Sequence, residues 1–153
     1  MKNFFFLFIL LLYTNAFANR FDPTNINENL FIAIQCDGTS SMTLKSKGQS
    51  DTTISKYQKI YIIDKESKLV LNYQPDKVDK FSILKGNWNI NNNTVIGLIE
   101  QDTGRTALIS SFEYDISNKS FKEIVVLSRV DESLTTKSSG QCVQLMSLPN
   151  LKQ

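Results

Sequence analysis

The chain has 153 residues, with 17 basic and 15 acidic side chains, a net charge of +2 and no histidine. So even a balance gives no general attraction to nucleic acid or to an anionic membrane surface. The missing histidine excludes Ser-His-Asp and Cys-His nucleophilic machinery as usually built, and the common histidine-ligated zinc and copper sites.

The first twenty residues read MKNFFFLFILLLYTNAFANR. Lys2 is a positive n-region, Phe4 to Tyr13 an apolar run, and Ala16-Phe17-Ala18 a small-x-small cleavage site, the order of a secretory signal peptide. The run is about half the roughly twenty residues that a bilayer span needs. The expectation is a signal peptide over 1–18, cleaved after Ala18, and a periplasmic or secreted product. Removing 18 residues from 153 leaves 135, the size of one domain over 19–153. No later apolar run is long enough to cross a bilayer, so no membrane span is expected after cleavage.

Strand signals then follow one another. LFIAIQC (30–36) places Leu30, Ile32, Ile34 and Cys36 on one face by the period of two. YQKIYIID (57–64) and KLVLNY (68–73) come next, joined by a polar turn. FSILKGNWNI (81–90) ends in clean alternation, with Trp88 and Ile90 opposite Asn87, Asn89 and Asn91. TVIGLIEQ, TALISSFEYDI, FKEIVVLSRV and GQCVQLMSL complete the series, and in the second of these Leu108, Ser110, Phe112, Tyr114 and Ile116 share a face. Helical periodicity is almost absent, although PTNINENLF has room for one turn. Two serine- and threonine-rich stretches, 38–56 and 131–140, read as polar loops. About eight strands with short connections imply antiparallel neighbours. The expected fold is therefore a single all-β antiparallel domain. A lipocalin- or calycin-like meander barrel is preferred, with a two-sheet sandwich as the alternative.

Cys36 and Cys142 are the only cysteines. In an oxidising compartment an even pair is normally a disulfide. Two thiolates alone cannot complete a tetrahedral zinc site, and no histidine stands by to activate a thiol. A bridge from 36 to 142 closes a loop of 106 residues. It also makes the first and last strands neighbours.

Four local patterns carry a second reading. Asp102-Thr103-Gly104 is the tripeptide of aspartic proteases, but Glu100 and Gln101 precede it where that motif needs apolar residues, and a turn accounts for the same letters. Ser82-Ile83-Leu84-Lys85 matches S-x-x-K, yet on a strand residues three apart face opposite sides. Glu100 with Asp102, or Glu113 with Asp115, are paired carboxylates of the kind a glycosidase uses, but on a wet face nothing raises an acid's pKa. Lysines 56, 59, 65, 68, 77, 80 and 85 alternate with Tyr57, Tyr61 and Tyr73, while Asp64, Glu66, Asp76 and Asp79 break up the positive field. Asn92 and Asn118 head N-x-S/T triplets, which matter only in a glycosylating host.

The segments AIQCDG, YIID, FEYDISNKSF, LSRV and SGQC carry a likeness that runs over the whole length after the leader. In them the chain resembles a loose group of small, uncharacterised exported bacterial β proteins with one early and one late cysteine. That resemblance implies an exported β domain and no activity. The functional expectation is a non-enzymatic exported binding module without metal or cofactor, taking a small apolar ligand or a protein partner. An interaction role through 38–56, as inhibitor, secreted effector or envelope component, is the alternative, and a carboxylate-based hydrolase is third.

Overall fold

The computed structural model describes residues 19–77, 80–84 and 86–149. The expected signal peptide, together with Asp79 and Lys85, lies outside the described residues. The period-two segments become β1 (Phe31–Ser46), β2 (Gln49–Asp64), β3 (Leu69–Tyr73), β4 (Phe81–Ile83), β5 (Asn87–Ile90), β6 (Thr94–Asp102), β7 (Ala107–Asp115), β8 (Ser120–Ser128) and β9 (Glu132–Gln144). They form a single antiparallel sheet in the order β4-β3-β2-β1-β9-β8-β7-β6-β5. Every connection joins neighbours except one. β4 and β5, at the two ends of that order, are consecutive in the chain but do not pair. The sheet is thus a meander curled on itself, barrel-like, with its open seam between β4 and β5. The expected barrel-like architecture holds.

Aromatic contacts across the interior record the curl. Three strands lie between β2, which carries Tyr61, and β7, which carries Phe112, yet the two ring centroids are 4.8 Å apart. A close approach of β1 and β9 falls on a pair of glycines. Gly38 on β1 is registered with Gly140 on β9, flanked by Tyr57 on β2 and Phe121 on β8. A Cβ on Gly38 would sit 2.0 Å from the carbonyl oxygen of Ser139, and one on Gly140 would sit 2.1 Å from that of Asp37. Only glycine permits this approach. Over the bare backbone the Tyr57 and Phe121 rings stack with centroids 4.7 Å apart. Two residues along, Cys36 and Cys142 face each other and are joined by the disulfide, with Cα atoms 4.0 Å apart. The end strands are neighbours, as a staple requires.

The core has two layers. Inside the curl lie Ile32, Ile34, Cys36, Tyr61, Ile63, Val70, Val95, Phe112 and Tyr114. On the outer face of β1–β3, Phe31, Ala33, Ile60, Ile62, Leu71 and Tyr73 pack under Phe21, Ile26 and Leu148. The segments before β1 and after β9 therefore cover the outside of the first three strands. This explains why FIAI (31–34) and IYII (60–63) are continuous runs without polar alternation: they are buried on both faces, whichever way a side chain points. Leu30 packs with the outer layer, opposite Ile32, Ile34 and Cys36, which corrects the expectation that all four share a face. Arg20 ties the leading segment down by pairing with Asp64, at 2.6 Å, and with Glu66. Asp64 is fully buried, and its other oxygen accepts the Glu66 and Ser67 amides of the β2–β3 turn. One turn does form in PTNINENLF, where the Leu30 and Phe31 amides donate to Asn27 O.

Three expectations are corrected. Residues 38–56 are not a loop. β1 and β2 stay paired to Ser46↔Gln49, across a two-residue turn in which Lys47 and Gly48 both have positive φ, 47° and 80°. That is the signature of a primed hairpin turn. Residues 131–140 are likewise mostly strand, because β9 pairs with β1 to Ser46↔Glu132. Serine and threonine run through both segments, and the buried pair between them is Ser40 with Ser138, so little hydrophobic alternation marks them as strands. Lastly, FSILKGNWNI is two strands, β4 and β5, rather than one, which makes nine strands where about eight were expected.

Candidate functional site

β3, β4 and β5 are short, whereas β1, β2, β6, β7, β8 and β9 run on past them. The inner face is therefore closed at one end and open at the other. Where the closed part begins there is a cavity of about 180 Å³. One wall is polar and comes from Lys59 and Tyr61 on β2, Asn72 on β3 and Glu123 on β8. The opposite wall is apolar, with Trp88, Ile99, Leu108 and Phe112 prominent. Above it, the register aligns Leu108, Leu127, Leu134 and Leu44 across four strands, and Leu44 and Met42 are 42% and 41% exposed. The cavity thus opens beneath a shallow apolar bowl.

Trp88 is placed by a missing side chain. It is registered with Gly97 on β6, and a Cβ there would fall 2.1 Å from an indole carbon. The ring therefore lies against bare β6 backbone. Its Nε1–H donates to Leu84 O at 3.0 Å, and its edge meets Phe112 at a centroid distance of 6.2 Å. The indole is fixed on two sides.

The polar wall is a connected chain. Glu123 follows Phe121 and precedes Val125 on the inward face of β8, and its side chain is 11% exposed. The Lys59 ammonium donates to both its oxygens, at 3.1 and 3.0 Å. Tyr61 OH donates to Oε1 at 3.4 Å, which leaves Tyr57 OH as the donor to Tyr61 OH at 2.6 Å. Burial, reinforced for both by the Glu123 charge, pushes the two phenols well above their ordinary pKa, so both stay neutral. Lys59, its side chain 39% exposed, sits at the mouth. The ion pair cancels its own charge, so this wall offers a neutral polar surface.

Asn72 completes the wall. Its side-chain oxygen is buried and accepts no hydrogen bond.

The residues singled out from the sequence are distributed differently. Cys36 and Cys142 form the disulfide, two residues from the glycine pair. Glu100, Asp102 and Glu113 are exposed and do not line the cavity. Asp102 accepts the Gly104 amide at 2.7 Å, so Asp102-Thr103-Gly104 makes the β6–β7 turn. Asp115 accepts the Asn118 backbone and side-chain amides in the next turn, which lower its pKa. Ser82 is exposed on β4. Tyr57, Tyr61 and Tyr73 are buried and offer no surface platform for bases, and of the described lysines only Lys59 lines the cavity. Asn92 and Asn118 are exposed beside turns.

Glu123 and Asn72 were not singled out from the sequence. For Glu123 the signal is its parity: in FKEIV it shares a face with Phe121 and Val125, an acid at an inward position. Asn72 sits between Leu71 and Tyr73, and nothing in LVLNY separates it from a surface polar residue. Among the described residues no cluster of three or more metal-ligating side chains occurs, and no helix is long and apolar enough to cross a membrane. No protein-family model matches the chain, and no significant match is found among curated proteins or solved structures.

Proposed function

We propose that the protein is an exported, non-enzymatic binding module that holds a small, largely apolar ligand in the cavity beside Trp88. The observation that carries this reading is the cavity's construction. An apolar wall with a fixed indole faces a polar wall of paired groups, the usual composition of a small-molecule site. The cavity opens beneath the bowl, so a small molecule can reach the indole from solution. The leader-like first residues and the disulfide support an exported location, periplasmic or secreted.

Trp88 is the only tryptophan in the chain, so its emission reports on the cavity directly. A panel of small apolar and amphipathic compounds should contain members that change the emission saturably and raise the Tm. Val125→Phe, which fills part of the cavity, should abolish both effects while the protein stays folded. A panel without a saturable response, or one equally effective on Val125→Phe, overturns the reading.

The distal part of the β1–β2 hairpin, an arm over residues 39–56, favours a second reading. From Gln49 to Lys59 the outer edge of β2 pairs with no other described strand, and Ile54 on it is 74% exposed. Such an edge accepts an added strand from a protein partner. Trimming the hairpin tip while keeping the Lys47-Gly48 turn should remove partner capture and leave the emission response of Trp88 intact. Capture that survives the trimming counts against it.

A further inference from the structure

Apolar side chains lead out of the cavity in successive inward rows of the sheet. Phe112 on β7 stands level with Gly97, against which Trp88 lies. The next row carries Ile99, Val125 and Met42, and the one beyond it carries Leu108, Leu127, Leu134 and Leu44. Ile99, Val125 and Leu108 also line the cavity, so cavity and bowl form one continuous trough. At its outer end Met42 and Leu44 remain 41% and 42% exposed.

Length and charge restrict what covers this trough. From Phe112 to Leu108 the strand advances about 13 Å at ~3.3 Å per residue, the length of an extended alkyl chain of about ten carbons. The cavity of about 180 Å³ at the inner end has room for the end of such a chain. At the outer end stand the β1–β2 and β8–β9 turns, with Lys45, Lys47 and Arg129 beside Asp131 and Glu132. Asp51, registered with Leu44, balances the third cation, so this rim has no net charge. At the inner end Lys59 and Glu123 close on each other at 3.0 and 3.1 Å. Neither end favours an ionised head group, because pairing with one would break or unbalance groups that already compensate each other.

Resting on the binding reading above, we propose that the trough from Trp88 to Leu44 takes a free single-chain amphiphile, with its tail end beside Trp88 and a head group of no net charge at the rim. Affinity comes from the methylenes that leave water against the three apolar rows, so it rises with tail length until the chain passes Leu44. The head group stays wet between the two turns.

Hexyl and decyl glucoside, kept below the concentrations at which they form micelles, vary the tail. Decanoate and decyltrimethylammonium vary the charge of the head. Affinities are read from Trp88 emission and from amide shifts in titrations of the whole folded protein. Decyl glucoside should bind about tenfold or more tightly than hexyl glucoside, and ahead of both charged decyl compounds. Leu44→Asp places a carboxylate under the outer half of the chain at a part-exposed position. It should weaken decyl glucoside about tenfold and leave hexyl glucoside unchanged, because the shorter tail ends before the Leu44 row. Should that variant not fold, the order measured on the unaltered protein decides alone. Equal affinities for the two glucosides overturn the trough and leave the cavity a ligand site. Tightest binding by either charged compound overturns the head-group assignment. Co-sedimentation with phosphatidylcholine vesicles without binding of decyl glucoside makes a bilayer the occupant and overturns the inference too. Binding of none of these probes overturns it as well, whereas the binding reading itself falls only if the wider panel is silent.

Discussion

Tyr57 and Phe121 stack face to face with ring centroids 4.7 Å apart, although two whole strands lie between the strands that carry them. They meet because the intervening residues, Gly38 and Gly140, have no side chains. The bend at this row brings β2 towards β8, and so Lys59 to Glu123. Bend, ion pair and cavity are therefore one structural unit.

Gly38→Ala and Gly140→Ala should each be costly. The new methyl carbon would lie 2.0–2.1 Å from a carbonyl oxygen of the partner strand, and backbone cannot yield as a flexible side chain does. Overpacking of this kind costs about 1–3 kcal/mol. Urea unfolding should show the midpoint falling in both variants, and an unchanged midpoint would mean that the two strands do not approach so closely.

The disulfide should contribute several kcal/mol. On the chain-entropy view a loop of about 100 residues corresponds to ~4.7 kcal/mol, and real bridges often deliver less. Cys36→Ser with Cys142→Ser should lower the Tm markedly, as should reductant acting on the unaltered protein. Equal Tm values with and without reductant would contradict this.

Lys59→Met should destabilise more than the double variant Lys59→Met with Glu123→Leu. The single change leaves a carboxylate buried without its cation, a loss of about 3–5 kcal/mol where both partners are fully buried. Lys59 is partly exposed at the mouth, so about 1–3 kcal/mol is expected here. The double variant removes both charges and should recover much of that loss in a thermal melt.

Alkaline pH should unfold the protein cooperatively. Burial raises the Tyr57 and Tyr61 pKa values above the ordinary 10.0. In the unfolded chain both phenols lose protons near 10, whereas in the fold they keep them, so the unfolded state binds fewer protons above that pH. Their contribution is therefore constant below about pH 10 and falls above it, by roughly 1.4 kcal/mol per pH unit for each phenol. Phenolate absorbance from these tyrosines should appear together with loss of the β-sheet signal in circular dichroism. Full phenolate formation near pH 10 with the sheet intact would contradict the buried chain from Tyr57 to Glu123.

What the sequence made legible follows from where apolar side chains signal a face. Trp88 and Ile90 against the asparagines, and Phe112 and Tyr114 against Glu113, alternate because one side is core and the other water. The same logic is silent for the arm. Between Thr39 and Lys56 most side chains are exposed and the buried position, Ser40, is itself polar, so serine and threonine read as a loop until pairing with β9 is known. The cysteines announced the junction of the first and last strands, because a covalent bond leaves a compositional mark. The cavity left none: Asn72 and Glu123 look like surface residues in isolation, and only the curl of the sheet turns both towards Trp88.

Native mass spectrometry of protein isolated under mild conditions from the compartment of its host tests ligand occupancy most directly. The expected spectrum carries a small-molecule excess over the polypeptide mass, released on denaturation and absent from Val125→Phe prepared in the same way. A bare polypeptide mass, with no excess restored by host extract, would contradict the assignment of this cavity as a ligand site.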